Sequence, residues 1–293
     1  MGFFNKLTQP IFLKDSSSAL RQLEQLKSID KNRLPTDIQT KLDNEINIIS
    51  LGITGENNVS YELKHSGMAM YILQDIYLEH NGLSSQIDFI AVTRKGIFVI
   101  ECKNLYGDIK INDRGDFIRS GGYNKDEGMY SPIEQNRKHM NIIKELRLKE
   151  KGFFTSKVSF EASFNNIFRS VVVLANNRNI IIDRYAPEDI KALVTRSDSL
   201  IRHITNVNNQ IPITELTDKE MKSMADFFVE AHIERMIDHT TVYCDQMLPS
   251  NTKMCPKCGK EMKLRTAQKG DNPGSQFWGC SGFPGCKTTV KIN

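Results

Sequence analysis

Three charged residues, Asp88, Glu101 and Lys103, sit inside an otherwise apolar stretch, QIDFIAVTRKGIFVIECKN at 86–104. Two apolar runs flank a Lys95–Gly96 pair and read as a β-hairpin. Carboxylates in a sheet buried on both faces are costly unless something pairs with them or binds them. With Lys95–Gly96 as a two-residue turn, Arg94 faces Ile97, Asp88 lies opposite Lys103, and Ile90 lies opposite Glu101. Opposed residues share a face and side chains alternate along a strand, so the three charges share one face in any register of that parity. Two carboxylates on neighbouring strands supply hard oxygen ligands for Mg²⁺ or Mn²⁺. A lysine two residues further on can reach a metal-bound water or a phosphate oxygen, which is what phosphodiester hydrolysis needs. By spacing alone, an ion pair at a solvated sheet edge is the simpler reading.

A second group lies at the end of the chain. Cys255 and Cys258 form a C-x₂-C knuckle, and Cys280 and Cys286 follow after a gap of 21 residues. Two such thiolate pairs suit a tetrahedral structural Zn²⁺. Gly259 permits the close turn around the metal. The N-terminus, MGFFNKLTQPIFLKD, lacks the apolar core and cleavage site of a secretory signal, so a cytoplasmic setting is expected and metal is favoured over disulfides. Phe277, Trp278 and Phe283 are candidate stacking platforms, with Lys257, Lys260, Lys263, Arg265, Lys269, Lys287 and Lys291 as phosphate partners. Trp278, the only tryptophan, is the preferred base-stacking residue. At least one of these aromatics is needed for the ribbon's small core.

These groups need elements to position them. Helices are expected at 16–31 and 36–50, then a break at Gly52–Gly55 and another helix at 56–65. Strands follow at 68–79, in the hairpin and at 107–113. A helix at 132–150 opens on Pro132, 169–176 reads as a buried strand, and 217–237 opens with a Thr217/Glu220 capping box. A polar stretch near 245–253 precedes the cysteines. The expected architecture is α/β, a mixed sheet flanked by helices. It divides into a helical segment at 1–50, a core domain at 51–244 and a zinc ribbon at 250–293.

The hairpin closely resembles the nuclease-related domain (NERD), a branch of the PD-(D/E)xK nuclease superfamily with a restriction-endonuclease-like fold. The matched features are Gly55-Glu56 at a helix start, Asp88, Glu101-Cys102-Lys103, and Pro132-Ile133-Glu134-Gln135-Asn136-Arg137-Lys138-His139, over roughly 51–175. Cys102 stands where the family usually has an apolar residue. The resemblance implies that Asp88 and Glu101 bind Mg²⁺ or Mn²⁺ and that Glu56 completes the shell directly or through water. It also implies that Lys103 positions water or stabilises phosphorane charge, and that Gln135 orients the site. His139, four residues after Gln135 and on the same helix face, is a candidate contact to nucleic acid; a core-edge histidine fits as well. The cysteine segment resembles the zinc-finger repeats of type IA topoisomerases, which implies binding to DNA, single-stranded or partly unpaired.

Composition is compatible with this reading and selects nothing by itself. The chain has 293 residues, a net charge of +4, 39% hydrophobic and 25% charged residues, as a soluble protein would. No apolar run reaches the length of a membrane span, so no membrane partner is expected. The expected function is a metal-dependent DNA nuclease in repair, processing or defence. The alternatives are a non-catalytic DNA-binding module of the same fold, an RNA-directed nuclease, or a partner-recruiting subunit that uses the helices at 16–50.

Overall fold

The computed structural model describes residues 6–120, 126–151, 157–247, 253–268 and 273–291. The chain runs β1 (Pro10–Lys14), α1 (Ser18–Lys27), α2 (Thr36–Lys64), β2 (Met70–His80), β3 (Leu83–Thr93), β4 (Ile97–Lys103), β5 (Asp108–Ile111), β6 (Phe117–Ser120) and β7 (Asp126–Gly128). It continues with α3 (Pro132–Lys151), α4 (Lys157–Ile167), β8 (Phe168–Leu174), β9 (Ile181–Ile182), α5 (Glu188–Lys191), β10 (Val194–Arg196), α6 (Leu200–Gln210), α7 (Asp218–Ala231) and α8 (Thr241–Cys244). Strands β11 (Lys253–Met254), β12 (Glu261–Thr266), β13 (Gln276–Cys280) and β14 (Thr289–Lys291) end it. Two compact units result, one of 1–18 with 51–235 and one of 19–50 with 236–293. Residues 248–252, within the expected polar linker, and Lys269, an expected phosphate partner, lie outside the described residues.

In the first unit a six-stranded sheet runs β1-β2-β3-β4-β8-β10, with β1/β2, β4/β8 and β8/β10 parallel and the others antiparallel. Leu73, Ile90, Val92 and Val99 on one face pack against Ile142 and Ile143 of α3, Phe164 of α4 and Phe228 of α7. Ile72, Phe89, Ala91 and Ile100 on the other face pack against Val59 and Leu63 of α2 and Leu200 and Ile204 of α6. A mixed sheet covered on both faces is the expected α/β architecture, and it explains why β3 and β4 read as near-continuous apolar runs. A second sheet, β7-β6-β5-β9, has its own small core around Ile109, Phe117 and Ile133. The capping box opens α7 as expected.

The central hairpin differs from its expected register. Thr93 donates its N–H to the Gly96 carbonyl at 2.9 Å, and the Thr93 hydroxyl bonds the same turn. The two turn residues are therefore Arg94 and Lys95, and Val92 pairs with Ile97. This moves the register by two residues, which preserves the parity and puts Asp88 opposite Glu101. The β3/β4 ladder runs only from Val92↔Ile97 to Phe89↔Ile100, so the strands part at the Asp88/Glu101 position. On β2, Asp75 falls opposite Asp88 and takes a left-handed φ of 57°. Leu73 and Ile76 face one core although three residues apart, and so do Ile87 and Ile90. The side-chain alternation thus skips at Asp75 and Asp88, the kind of irregularity that re-aims a residue out of a sheet.

The expected break at Gly52–Gly55 is absent, and α2 is one helix of 29 residues. Gly55 is a contact residue rather than a helix breaker. A Cβ there would lie 2.5 Å from Asn104 Cβ and 3.3 Å from Ala175 Cβ, whereas one at Gly52 would meet nothing within 4 Å. Close approach of α2 to the ends of β4 and β8 thus offsets glycine's cost of roughly 0.5–1 kcal/mol in a helix. Gly55→Ala should destabilise the protein by about 1–3 kcal/mol through overpacking. Gly52→Ala should instead stabilise it by about 0.4–1 kcal/mol. Urea melts of the two variants check this, and equal midpoints would remove the packing role.

Candidate active site and zinc centre

Glu101, on β4, is 1% exposed and both its oxygens are engaged. Oε1 lies 2.6 Å from Lys103 Nζ, and Oε2 lies 3.0 Å from His139 Nε2. Lys103 Nζ also donates to Gln135 Oε1 at 2.9 Å, so the ammonium is held between β4 and α3. Asn136, fully buried, pins α3 to the sheet by donating to the Val99 carbonyl at 2.8 Å and to Ser170 Oγ at 2.9 Å. That anchor sets Gln135 and His139 against β4. Ile133 three residues before it, and Met140 and Ile143 four and seven after, place Asn136 on the helix's apolar stripe, the local signal that it faces inward.

Asp88, partly buried on β3, accepts the Cys102 N–H at 2.7 Å, taking the place of a ladder carbonyl where the strands part. Burial first, and then the charge of Glu101, push its carboxyl well above the ordinary 3.8. Glu56, on α2, accepts from Gln74 Nε2 at 3.0 Å and Ser17 Oγ at 3.1 Å. Burial raises its carboxyl too, and those two donors pull the other way. Burial first, and then Asp88, hold the Cys102 thiol well above its ordinary value, which suits an apolar position. From β1, Lys14 Nζ bonds the carbonyls of Gln74 and Asp75 at 2.9 Å and so clamps the kinked residue beside Glu56's partner. Lys14, Gln74 and Asp75 have no signal in the sequence, because the kink that gathers them is tertiary.

The hairpin therefore brings Asp88, Glu101 and Lys103 together, with Gln135 beside them and Glu56 close enough to act on Asp88's charge. His139 is 6% exposed, bonds Glu101 and Ser85, and is not placed to meet nucleic acid. Its position four residues after Gln135 puts it on the inner face of α3, where sheet and not solvent faces it.

In the second unit, one thiol sulfur from each of Cys255, Cys258, Cys280 and Cys286 lies within 4.8 Å of the others. Among the described residues this is the one group of three or more His, Cys, Asp or Glu ligands that converges so tightly. Burial opposes ionisation of Cys255, but the N–H groups of Lys257 and Cys258 and neighbouring donors bring its thiol down to about 6. Burial pushes Cys280 up to about 12. Four clustered thiols cannot all ionise unaided, and a Zn²⁺ supplies the missing charge. Gly259 has φ 66°, and a Cβ there would lie 2.0 Å from Thr36 Oγ1.

The ribbon's strands sort its aromatics. Cys255, Met262, Cys280 and Cys286 form its core, and half-buried Trp278 and Val290 pack against it, so Trp278 serves packing as well as being the expected stacking candidate. Alternation puts Lys263, Arg265, Phe277, Gly279 and Lys291 on the other face. A Cβ on Gly279 would lie 2.9 Å from Arg265 Cδ, so the arginine lies across the glycine. Its guanidinium reaches to 6.0 Å from the ring centre of Phe283, which is 59% exposed. Lys257 is exposed on the knuckle. Because Trp278 packs against the metal-bearing core, chelation should red-shift the protein's tryptophan emission together with loss of about one zinc per chain. Elemental analysis and fluorescence check this, and unchanged emission after zinc removal would contradict it.

Two family models match parts of the chain that carry these two sites. Residues 51–175 match the nuclease-related domain family, and residues 252–293 match the topoisomerase DNA-binding C4 zinc finger. The chain is 33% identical over 95 residues to an uncharacterized protein of Bacillus anthracis, covering 31% of this chain and 44% of that protein. The chain thus spans less than half the length of that relative. No solved structure matches. The match to a C4 zinc finger, together with the four clustered cysteines, supports zinc at this end of the chain. Among the described residues, no helix is long and apolar enough to cross a membrane.

Proposed function

We propose that the chain is a metal-dependent nuclease of the PD-(D/E)xK type that hydrolyses DNA phosphodiester bonds while its ribbon holds the DNA. The observation that carries this is Lys103 held between Glu101 and Gln135 where β3 and β4 part, with Asp88 opposite Glu101. Asp88 and Glu101 would hold Mg²⁺ or Mn²⁺, and Glu56 would complete the shell. The donor set fits: all are hard oxygens, and the raised carboxyls of Asp88 and Glu56 mark a cluster short of positive charge. When bound, such a cation lowers the pKa of its water and offsets charge on the phosphate. Lys103 supplies an ammonium to a phosphate oxygen or to the attacking water, and Gln135 fixes where that ammonium points. On the ribbon, Phe277 and Phe283 would stack on unpaired bases while Arg265 and Lys257 meet phosphates, a mode indifferent to base identity. Single-stranded or partly unpaired DNA is therefore the proposed substrate.

In this reading residues 51–244 form the nuclease-related domain, 250–293 the DNA-holding ribbon, and 1–50 a helical segment. Exposed Leu20 and Ile48 would offer a protein partner a surface there. A cytoplasmic role in DNA repair, processing or defence fits the chemistry. The test compares cleavage of single- and double-stranded DNA and RNA in Mg²⁺, Mn²⁺ or chelator, with Glu101→Ala beside the unaltered protein. A second reading, a non-catalytic DNA-binding module, is favoured by one observation: the carboxylates are individually satisfied and do not converge as the cysteines do. Binding without cutting in every condition would select it, and cutting of RNA alone would select an RNA-directed nuclease.

A further inference from the structure

We infer that Ser85 and His139 form a positioning relay that holds Glu101 in the orientation in which it receives a cation, an inference that rests on the reading of Glu101 as a cation ligand. Three elements converge on it: Ser85 from β3, Glu101 from β4 and His139 from α3. All three side chains are out of water, Ser85 at 5%, His139 at 6% and Glu101 at 1% exposure. His139 Nε2 lies 3.0 Å from Glu101 Oε2, and its Nδ1 bonds Ser85 Oγ.

The chemistry of the partners assigns the protons. An ionised carboxylate only accepts, so Nε2 carries the hydrogen and donates it to Glu101. A neutral ring then presents Nδ1 as an acceptor, and the Ser85 hydroxyl donates to it. Ser85 thereby selects the tautomer, and the tautomer fixes Oε2. The other oxygen, Oε1, is fixed by Lys103 at 2.6 Å. With both oxygens tied, the carboxylate has no free rotation, and its remaining lone pairs are set before a cation arrives. Groups that orient a ligand in this way typically change metal affinity or activity 10–100-fold when removed. His139 is thus a positioning residue; it touches neither substrate nor cation.

The test uses the full chain and Mn²⁺ as the probe. His139→Ala, His139→Gln, Ser85→Ala and the Ser85→Ala/His139→Gln double variant are compared by calorimetric Mn²⁺ binding. Each is also assayed for the Mn²⁺ concentration giving half-maximal cleavage, and melting curves report folding. His139→Ala should weaken Mn²⁺ about 10–100-fold with DNA binding unchanged. His139→Gln keeps an N–H for Glu101 and should retain most of the affinity. Ser85→Ala should weaken Mn²⁺ about threefold when His139 is present and not at all beside His139→Gln, because glutamine has no tautomer to select; that non-additivity is the signature. If His139→Ala does not fold, the Ser85→Ala and His139→Gln pair carries the test. Unchanged Mn²⁺ affinity in folded variants, or additive effects, overturns the relay alone. An unaltered protein that neither binds Mn²⁺ nor cuts overturns the cation site and the relay with it.

Discussion

Replacing Glu101 by glutamine is expected to lower DNA cleavage by about 10²–10³-fold, the scale on which single electrostatic groups of a catalytic site act. The substitution keeps the shape of a side chain that is 1% exposed, so no cavity opens beside His139. It removes the one negative charge that faces Lys103 at 2.6 Å and Nε2 of His139 at 3.0 Å. Lys103 keeps Gln135 and partial access to solvent, which limits the cost of losing its counter-ion. The fold should therefore survive while a cation loses a ligand. Lys103→Ala should cost a similar factor for a different reason, loss of the ammonium, and should also weaken Mn²⁺ because Glu101 Oε1 is no longer held. Single-turnover cleavage together with circular dichroism shows whether each loss is catalytic rather than a failure to fold. Equal rates for Glu101→Gln and the unaltered protein would end the catalytic assignment.

The second large effect concerns stability and carries a sign that distinguishes it from ordinary damage. In the metal-free chain the carboxyl of Asp88 is held well above 3.8, first by burial and then by Glu101. Between the ordinary value and the raised one, the folded chain binds a proton that the unfolded chain has released. Stability from this group is therefore greatest at acid pH and falls as pH rises through the window. A divalent cation competes for the same oxygens, so the thermal stabilisation by Mn²⁺ should be small at pH 5 and grow towards pH 8. Asp88→Asn keeps an acceptor for the Cys102 N–H and removes the charge. It should raise the metal-free melting temperature at pH 8 by about 2–4 °C, as roughly 1 kcal/mol does in a chain of this size. It should also abolish the gain from Mn²⁺. A metal-free Asp88→Asn protein that melts lower at pH 8, or that still gains from Mn²⁺, would show that Asp88 is not a frustrated ligand.

How far the sequence reaches is clearest at the hairpin. The placing of Asp88 across from Glu101 depends only on parity, and parity survived a turn displaced by one residue at each end; the skipped alternation at Asp88 was not legible. The turn itself was not legible because the Thr93 hydroxyl closes it, and a threonine before Arg-Lys-Gly looks like a strand residue. Gly55 shows the reverse failure. Its propensity argues for a break, yet what decides is the Cβ of Asn104, which lies 49 positions later and 2.5 Å from where a Gly55 Cβ would stand. Ser85 and His139 are separated by 54 positions, so no local pattern could pair them. Trp278 was within reach: Cys280 is two residues on and must face the metal, and alternation then turns Trp278 inward and Phe277 outward.

The chain crosses between its two units three times, after Ser18, after Ser50 and after Arg235. Inheritance of the ribbon as a cassette is consequently constrained. Residues 19–50 share an apolar core with Tyr243 and Met247 through Leu26, Leu34 and Leu42, and Thr36 lies where only a glycine at 259 leaves room. A recombination that exchanged the tail at a single junction near 244 would leave Thr36 facing a foreign knuckle, and any incoming ribbon without a glycine at that place would be excluded. Exchange of the tail would therefore have to carry residues 19–50 with it, a segment itself inserted between the two stretches, 1–18 and 51–235, of the other unit.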